Sequence, residues 1–145
     1  MTELARNKKA YFDYEILETY EAGIALKGFE VKAVKNGRIN ISGSFVLIRD
    51  GKAQLLNTDI PPYQPKNTPE GYDSKRTRDL LLHKKEIDIL TGASQQKGLT
   101  LVPLRVYITR NLIKLSFGLV RGKRQHEKRE SIKKREVQRE IRRHI

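Results

Sequence analysis

Apolar and polar residues alternate in several short runs of this chain, and a two-residue period is typical of strands that bury one face. The two clearest runs are 104–109 and 113–119. Arg110-Asn111 separates them and is predicted to form a hairpin turn, with Pro103 at an edge or bulge position where the hairpin starts. Weaker alternation follows at 12–16, 24–26, 39–49 and 53–56. The pattern therefore predicts about six short strands.

Turn-forming residues and helical spacing indicate the remaining elements. Residues 28–35 are predicted to form a helix that ends at Asn36-Gly37, and a second helix is expected to begin at His83. Asp50-Gly51 is a strong hairpin signal. Glu21-Ala22-Gly23 is interpreted as a break in the first strand. The proline-rich stretch 60–76 is predicted to be a surface loop.

These elements predict a mainly β fold with flanking helices, in which a small antiparallel sheet curls into a closed or partly open barrel of the oligonucleotide-binding type. Sandwiches and α+β folds share the same signals, so the pattern alone leaves those architectures open. The 145 residues are enough for one domain and an appendage. We take 1–120 as a barrel domain and 121–145 as a basic C-terminal tail.

Positive charge is concentrated in that tail. Residues 121–145 contain eleven Lys or Arg and four Glu, a net charge of +7, whereas residues 1–120 contain nineteen Lys or Arg and thirteen Asp or Glu, a net charge of +6. Val137, Ile141 and Ile145 form an apolar stripe too narrow to dock on a core. We expect a tail that is disordered when free and helical when bound to a polyanion. The alternative is a solvated C-terminal helix.

Composition argues against several kinds of chemistry. The chain has no cysteine, which excludes disulfides and thiolate metal sites. Its histidines, His83, His126 and His144, lack metal-ligand spacing, and no catalytic or nucleotide-binding motif is found. We therefore expect a protein that is not an enzyme and needs no cofactor or metal. Its apolar runs are too short to span a bilayer and its first residues do not resemble a signal peptide, which predicts a cytoplasmic protein without membrane contact.

The net charge of +13 and the pI near 10.1 indicate a nucleic-acid partner, with an acidic membrane surface as the second choice. Glu21 could accept hydrogen bonds from base amino groups or a ribose hydroxyl, or could orient a neighbouring Lys or Arg, and both interpretations stay open. Glu30 and Glu86 are interpreted as ordinary solvated partners of nearby lysines. Tyrosines such as Tyr14 offer rings on which unpaired bases could stack.

Three ordered stretches together resemble the SsrA-binding protein family, also called small protein B. The resemblance covers nearly the whole chain, and the ordered set is far more specific than any single piece. The stretches are Asn7-Lys8-Lys9-Ala10 with Tyr14, 21–28 and 30–32, then Arg76-Thr77-Arg78 with 80–87, and finally 118–129 with Ile132-Lys133.

The resemblance implies an oligonucleotide-binding barrel that binds the tRNA-like domain of transfer-messenger RNA. With that RNA and elongation factor Tu, such proteins enter stalled ribosomes, where the tail lies in the empty mRNA path and reaches the decoding centre in the small-subunit rRNA. They act as trans-translation factors and catalyse no bond change; we expect a monomer. Family positions that face the tRNA-like domain match Glu21, Leu81 and Lys114, and we add Tyr14, Arg76 and Arg78 as RNA-binding candidates. The ribosome-binding candidates of the tail are Lys123, Arg124, His126, Lys128, Arg129, Lys133, Lys134 and Arg135.

Some positions depart from the family pattern. Glu127 stands where Asp is usual and is one methylene longer, and Asp79 stands where a basic residue is common. Two other classes of function remain as alternatives. One is a basic ribosomal or ribosome-assembly protein that binds rRNA, and the other is an RNA-processing enzyme that uses carboxylates and lysines.

Overall fold

A computed structural model of the chain describes residues 2–64, 66 and 68–123. Within these residues the chain forms seven strands and three helices. In chain order they are β1 Thr2–Arg6, α1 Lys8–Asp13, β2 Tyr14–Ile24, α2 Gly28–Lys35, β3 Phe45–Arg49, β4 Lys52–Leu56, β5 Arg78–Leu81, α3 Lys84–Ser94, β6 Leu99–Thr109 and β7 Leu112–Gly122.

The strands close into an antiparallel barrel. The pairing order is β6-β3-β4-β5-β2-β7, and β7 also pairs with β6, which closes the ring. On its other edge, strand β6 pairs with two strands. Leu101 pairs with Val46 of β3, and residues 105–108 pair with β1. The predicted mainly β barrel with flanking helices is confirmed. The predicted behaviour of the tail concerns residues outside the described part.

The barrel interior is filled by alternate residues of the strands. In β5, Arg78 and Leu80 point inward and are buried, whereas Asp79 and Leu81 are exposed. Two helices close the core, because Ala33 and Val34 of α2 and Leu90 of α3 are all fully buried. Successive side chains of a strand face opposite sides, so the residues between the core positions form the outer surface.

Both predicted hairpin turns are confirmed. Asp50 and Gly51 have φ of 53° and 71°, and Arg110 and Asn111 have φ of 50° and 63°. Two consecutive left-handed residues make the tight turn whose twist matches that of the flanking strands. The first predicted helix is confirmed as α2, and the second begins at Lys84 with His83 as its N-cap. Pro103 lies at a register shift of β6, as expected for a bulge.

Several local predictions near the N-terminus were wrong. The strand predicted from residue 12 begins only at Tyr14, because residues 8–13 form the helix α1. The Asn7 side chain accepts a hydrogen bond from the Ala10 N–H at 3.1 Å and caps the helix start. Residues 21–23 do not interrupt β2. Their own strand propensity is low, but pairing with β7 holds them in extended conformation. Strand β1 was not predicted, and β3 begins at Phe45 rather than at residue 39.

Candidate nucleic-acid interface

Four strands align one row of residues on the outer face of the barrel. Tyr107 of β6 pairs with Lys114 of β7, Lys114 pairs with Gly23 of β2, and Gly23 pairs with Leu81 of β5. Directly opposed residues of antiparallel strands project from the same face. At about 4.8 Å per strand, the row spans about 14 Å. It brings together Lys114 and Leu81, which are 33 positions apart in the sequence.

Gly23 lets Leu81 lie flat against the sheet. A Cβ at position 23 would stand only 3.3 Å from Leu81 Cδ1, so a larger residue would push the leucine away. Leu81 is 62% exposed, and Leu112 at the β6–β7 turn is 59% exposed. Between them opens a shallow, mostly apolar cleft of about 300 Å³. Its lining is Gly23, Ile24, Leu26, Val31, Leu81, Asn111, Leu112, Ile113 and Lys114.

Glu21 stands beside this row on the same face of β2. Its Oε1 lies 3.9 Å from Lys114 Nζ, and its side chain is 56% exposed against 28% for Lys114. The Tyr107 hydroxyl donates a hydrogen bond to Glu21 Oε2. The sequence left two interpretations of Glu21 open: orienting a neighbouring cation, or accepting hydrogen bonds from RNA. The structure shows the first contact, with Lys114, and leaves more than half of the Glu21 side chain exposed to a ligand.

Tyr107 is buried although it belongs to the outer face. Burial, together with the hydrogen bond to the Glu21 carboxylate, raises the pKa of Tyr107 to about 12. The phenol therefore keeps its proton at neutral pH and remains a donor. Arg105 lies with its guanidinium carbon 5.7 Å from the centre of the Tyr107 ring, a cation–π arrangement.

These groups can recognise RNA by complementary chemistry. A lysine ammonium is a compact donor to phosphate oxygens, and a carboxylate accepts from base amino groups or ribose hydroxyls. Exposed leucines give apolar contact area for a sugar or base. Among the described residues, no group of three or more His, Asp or Glu is placed to hold a metal ion.

Tyr14 lies far from this row. It pairs with Gly122 at the opposite end of β2, seven residues from Glu21, or about 23 Å along the strand. There it lines a second cleft of about 350 Å³, together with Lys9 of α1 and Phe45 of β3. The structure therefore does not bring Tyr14 together with Glu21 and Lys114.

Arg76 and Arg78 hold a buried carboxylate. Arg78 is fully buried and donates to Glu30 Oε2 from Nε at 3.0 Å and from NH2 at 2.6 Å, while Arg76, with its side chain 26% exposed, also pairs with Glu30. The interpretation of Glu30 as a solvated partner of a lysine is therefore wrong: its side chain is 0% exposed. Arg78 presents no exposed atoms to an RNA, and Arg76 presents few.

Hydrogen bonds decide the charge of Glu30. Burial by itself raises the pKa of this carboxyl, but hydrogen bonds from Arg76, the Lys27 backbone, Arg78 and Tyr72 outweigh that effect and lower the pKa to about 2. Glu30 is therefore ionised at neutral pH, and both of its carboxylate oxygens accept hydrogen bonds.

The start of the tail is attached to α1. The Lys123 N–H donates to the Asp13 carbonyl at 2.9 Å, and Lys123 Nζ donates to the Tyr11 carbonyl at 3.4 Å. Strand β7 continues to Gly122, two residues past the predicted domain boundary at 120. The chain therefore leaves the barrel at the Tyr14 end. The other predicted ribosome-binding residues, Arg124, His126, Lys128, Arg129, Lys133, Lys134 and Arg135, lie outside the described residues.

The sequence alone did not identify Tyr107, Gly23 or Leu112 as parts of this candidate interface. Alternation along β6 did place Tyr107 on the polar face with Arg105. The pairing register that sets it beside Lys114 and Glu21 joins residues up to 86 positions apart, and no local pattern encodes such a register. Leu112 follows a turn, where an apolar residue is readily assigned to the core.

The fold and this surface define a small antiparallel barrel of the oligonucleotide-binding class. The chain belongs to the SmpB protein family, whose model matches residues 4–145. It is 51% identical over 137 residues to the SsrA-binding protein of Gloeothece citriformis, covering 94% of this chain and 88% of the relative. It is 49% identical over 144 residues to the SsrA-binding protein of Coprothermobacter proteolyticus, covering 99% and 96%.

A solved structure described as "tmRNA-SmpB: a journey to the center of the bacterial ribosome" has the same fold. Its TM-score is 0.69 at 48% sequence identity, over 88% of this chain and 93% of that chain. Separately, no helix in the described part of the chain is long and apolar enough to cross a membrane.

Proposed function

We propose that this protein is a trans-translation factor that binds transfer-messenger RNA and brings it to stalled ribosomes. The observation that carries the proposal is family membership over residues 4–145, in a chain whose outer barrel face presents a carboxylate, a lysine and exposed leucines together. The relatives are named for binding SsrA RNA, and the similar solved structure is described in the context of the ribosome. The protein acts by binding, without catalysing a reaction.

The body binds the tRNA-like domain through the row described above. Lys114 contacts a phosphate, Glu21 accepts from a base or ribose, and Leu81 and Leu112 pack against a sugar or base across the 300 Å³ cleft. Arg78 is fully buried, so it stabilises the fold and does not contact the RNA. Tyr14, at the far end of β2, is positioned for a different contact on the tail side.

The tail binds the ribosome. It leaves the barrel beside Tyr11 and Asp13, at the end of β2 opposite Glu21. A body held on the tRNA-like domain at the Glu21 end can therefore direct the tail toward the small-subunit rRNA of the mRNA path and decoding centre. The cations assigned to this contact are Lys123, Arg124, His126, Lys128, Arg129, Lys133, Lys134 and Arg135. In this proposal the protein acts as a monomer, and elongation factor Tu accompanies it in the delivery complex.

Equilibrium binding to the isolated tRNA-like domain tests the proposal. Because a protein of net charge +13 binds any RNA at low salt, the measurement uses about 150 mM salt and an excess of competitor RNA. We expect Lys114→Ala to weaken binding at least tenfold, since a charge-assisted contact contributes about 1.5–3 kcal/mol. Lys97→Ala removes the same charge from an exposed position after α3 and serves as the matched control.

Truncation after Lys123 tests the division of labour. This cut keeps the β7 pairing and the contacts of Lys123 with α1, and the shortened chain should retain its affinity within about tenfold, or about 1.4 kcal/mol. Equal loss in Lys114→Ala and Lys97→Ala, or equal affinity for an rRNA fragment, would favour a general basic rRNA-binding protein.

A further inference from the structure

Tyr107 is the member of the outer row that cannot itself reach a ligand. It is 4% exposed, and its cross-strand neighbours are Glu3 of β1 and Lys114 of β7. Its ring lies beneath the Arg105 guanidinium, and Arg105 NH1 is in turn 3.8 Å from Glu3 Oε1. The ring is therefore held by groups on three strands.

The hydroxyl of this fixed ring is directed at Glu21. It donates to Oε2, while Oε1 lies 3.9 Å from Lys114 Nζ. Each carboxylate oxygen thus has a different neighbour, and the 3.9 Å separation exceeds that of a direct hydrogen bond. Without the tyrosine, Glu21 could rotate until it formed a direct hydrogen bond with Lys114, and each group would mask the other from RNA.

We propose that Tyr107 is a positioning residue for RNA binding: its hydroxyl fixes the Glu21 carboxylate so that Glu21 and Lys114 both remain available to the ligand. This inference rests on the proposed function. The tyrosine acts before the RNA arrives. It restricts the Glu21 rotamers in the free protein, so that binding costs less conformational entropy. It also preserves the separation between the Glu21 carboxylate and the Lys114 ammonium.

A second tyrosine provides a matched control. The Tyr20 hydroxyl donates to Glu18 Oε2 at 2.5 Å, and burial together with that hydrogen bond raises the pKa of Tyr20 to about 12 as well. Tyr20 belongs to the same strand as Glu21, but it stacks on the core residue Phe117 and so lies on the other face of the sheet. Tyr20→Phe removes the same kind of hydrogen bond away from the row.

The test is a double-mutant cycle on the full-length chain, with the isolated tRNA-like domain as probe. We expect Tyr107→Phe to weaken binding about five- to tenfold, as for about one hydrogen bond. Tyr20→Phe should change the affinity less than twofold. In a Glu21→Ala background, adding Tyr107→Phe should also change the affinity less than twofold, because no acceptor remains for the hydroxyl to position. A role in stability alone would weaken binding equally in both backgrounds.

Each result decides the proposal. An unchanged affinity of Tyr107→Phe overturns it, as does an equal loss in the two backgrounds. If Tyr107→Phe lowers the thermal unfolding temperature enough to reduce the folded fraction, Glu21→Asp replaces it. That variant keeps the charge but draws the carboxylate away from the hydroxyl, and it should lose affinity to a similar extent while remaining folded; undiminished affinity would overturn the proposal. Failure of the unaltered protein to bind the probe would instead contradict the proposed function.

Discussion

Arg78 and Glu30 form an ion pair in which both side chains are fully buried. Arg78 also donates to the carbonyl of Thr58 at 2.5 Å, to the carbonyl of Ser74 at 2.9 Å and to the hydroxyl of Tyr72 at 3.0 Å. The guanidinium therefore connects strand β5 to helix α2 and to both ends of the long loop before β5. The prolines of residues 60–76 predict a surface loop. The buried Arg78 guanidinium holds this loop in place through its hydrogen bonds to the carbonyls of Thr58 and Ser74.

We expect Glu30→Gln to destabilise the protein by about 3–5 kcal/mol, because the uncharged amide leaves the Arg78 cation buried without its counter-ion. Urea-induced unfolding of the full-length chain measures the loss. Glu86→Gln is the matched control, since Glu86 occupies the same third position of its helix and accepts a hydrogen bond from the His83 N–H at 3.3 Å. That variant should lose less than about 1 kcal/mol. Equal losses in the two variants would mean that Glu30 stabilises only the start of α2.

The same pair predicts a loss of stability in acid. The pKa of Glu30 in the folded protein is about 2, below its ordinary value of 4.5, so the unfolded chain takes up the proton first. The stabilisation by Glu30 is complete above about pH 4.5 and decreases as the pH falls toward 2. The free energy of unfolding, measured between pH 7 and pH 2 for the wild type and Glu30→Gln, should converge toward the acid end. A constant difference over that range would contradict the assignment.

Gly23→Ala should separate RNA binding from stability. The new Cβ would stand 3.3 Å from Leu81 Cδ1, and the exposed leucine can move aside at little cost to the fold. We expect a change in unfolding free energy below about 1 kcal/mol, with a severalfold loss of affinity for the tRNA-like domain because Leu81 no longer lies against the sheet. Gly28→Ala, where no atom stands within 4 Å of the added Cβ, should leave the affinity unchanged. An unaltered affinity in Gly23→Ala would remove Leu81 from the interface.

The proposed role of the tail is tested by Lys128→Ala combined with Arg129→Ala. Each charge-assisted contact contributes about 1.5–3 kcal/mol, so this double variant should bind the tRNA-like domain almost normally but fail to support peptide tagging in a reconstituted translation system stalled on truncated mRNA. Arg142→Ala with Arg143→Ala removes the same charge nearer the C-terminus and should tag far better. Equal tagging by both double variants, whether high or low, would indicate that the tail acts as an electrostatic tether without defined positions.

The outline of the barrel could be predicted because its signals are local. Asp50, Gly51 and Asn111 are residue types that adopt left-handed backbone more readily than others. Alternation along 104–109 and 113–119 indicates which side of each strand is buried. The start of β2 could not be predicted, because the alternation of Phe12, Tyr14 and Ile16 runs across the boundary between α1 and β2. A single hydrogen bond from the Ala10 N–H to Asn7 starts a short helix there.

The sequence by itself determined the mainly β class, the two tight hairpins and the cationic tail. Through family resemblance it also determined the choice of a barrel and of Glu21, Leu81 and Lys114 as RNA-binding candidates. Only the tertiary structure decided what surrounds those residues. The sequence does not distinguish a solvated charged side chain, such as Lys97, from one buried against an opposite charge, such as Arg78. The difference lies in partners contributed by other strands and helices. Burial and cross-strand register depend on the closure of the sheet, which no short window of sequence contains.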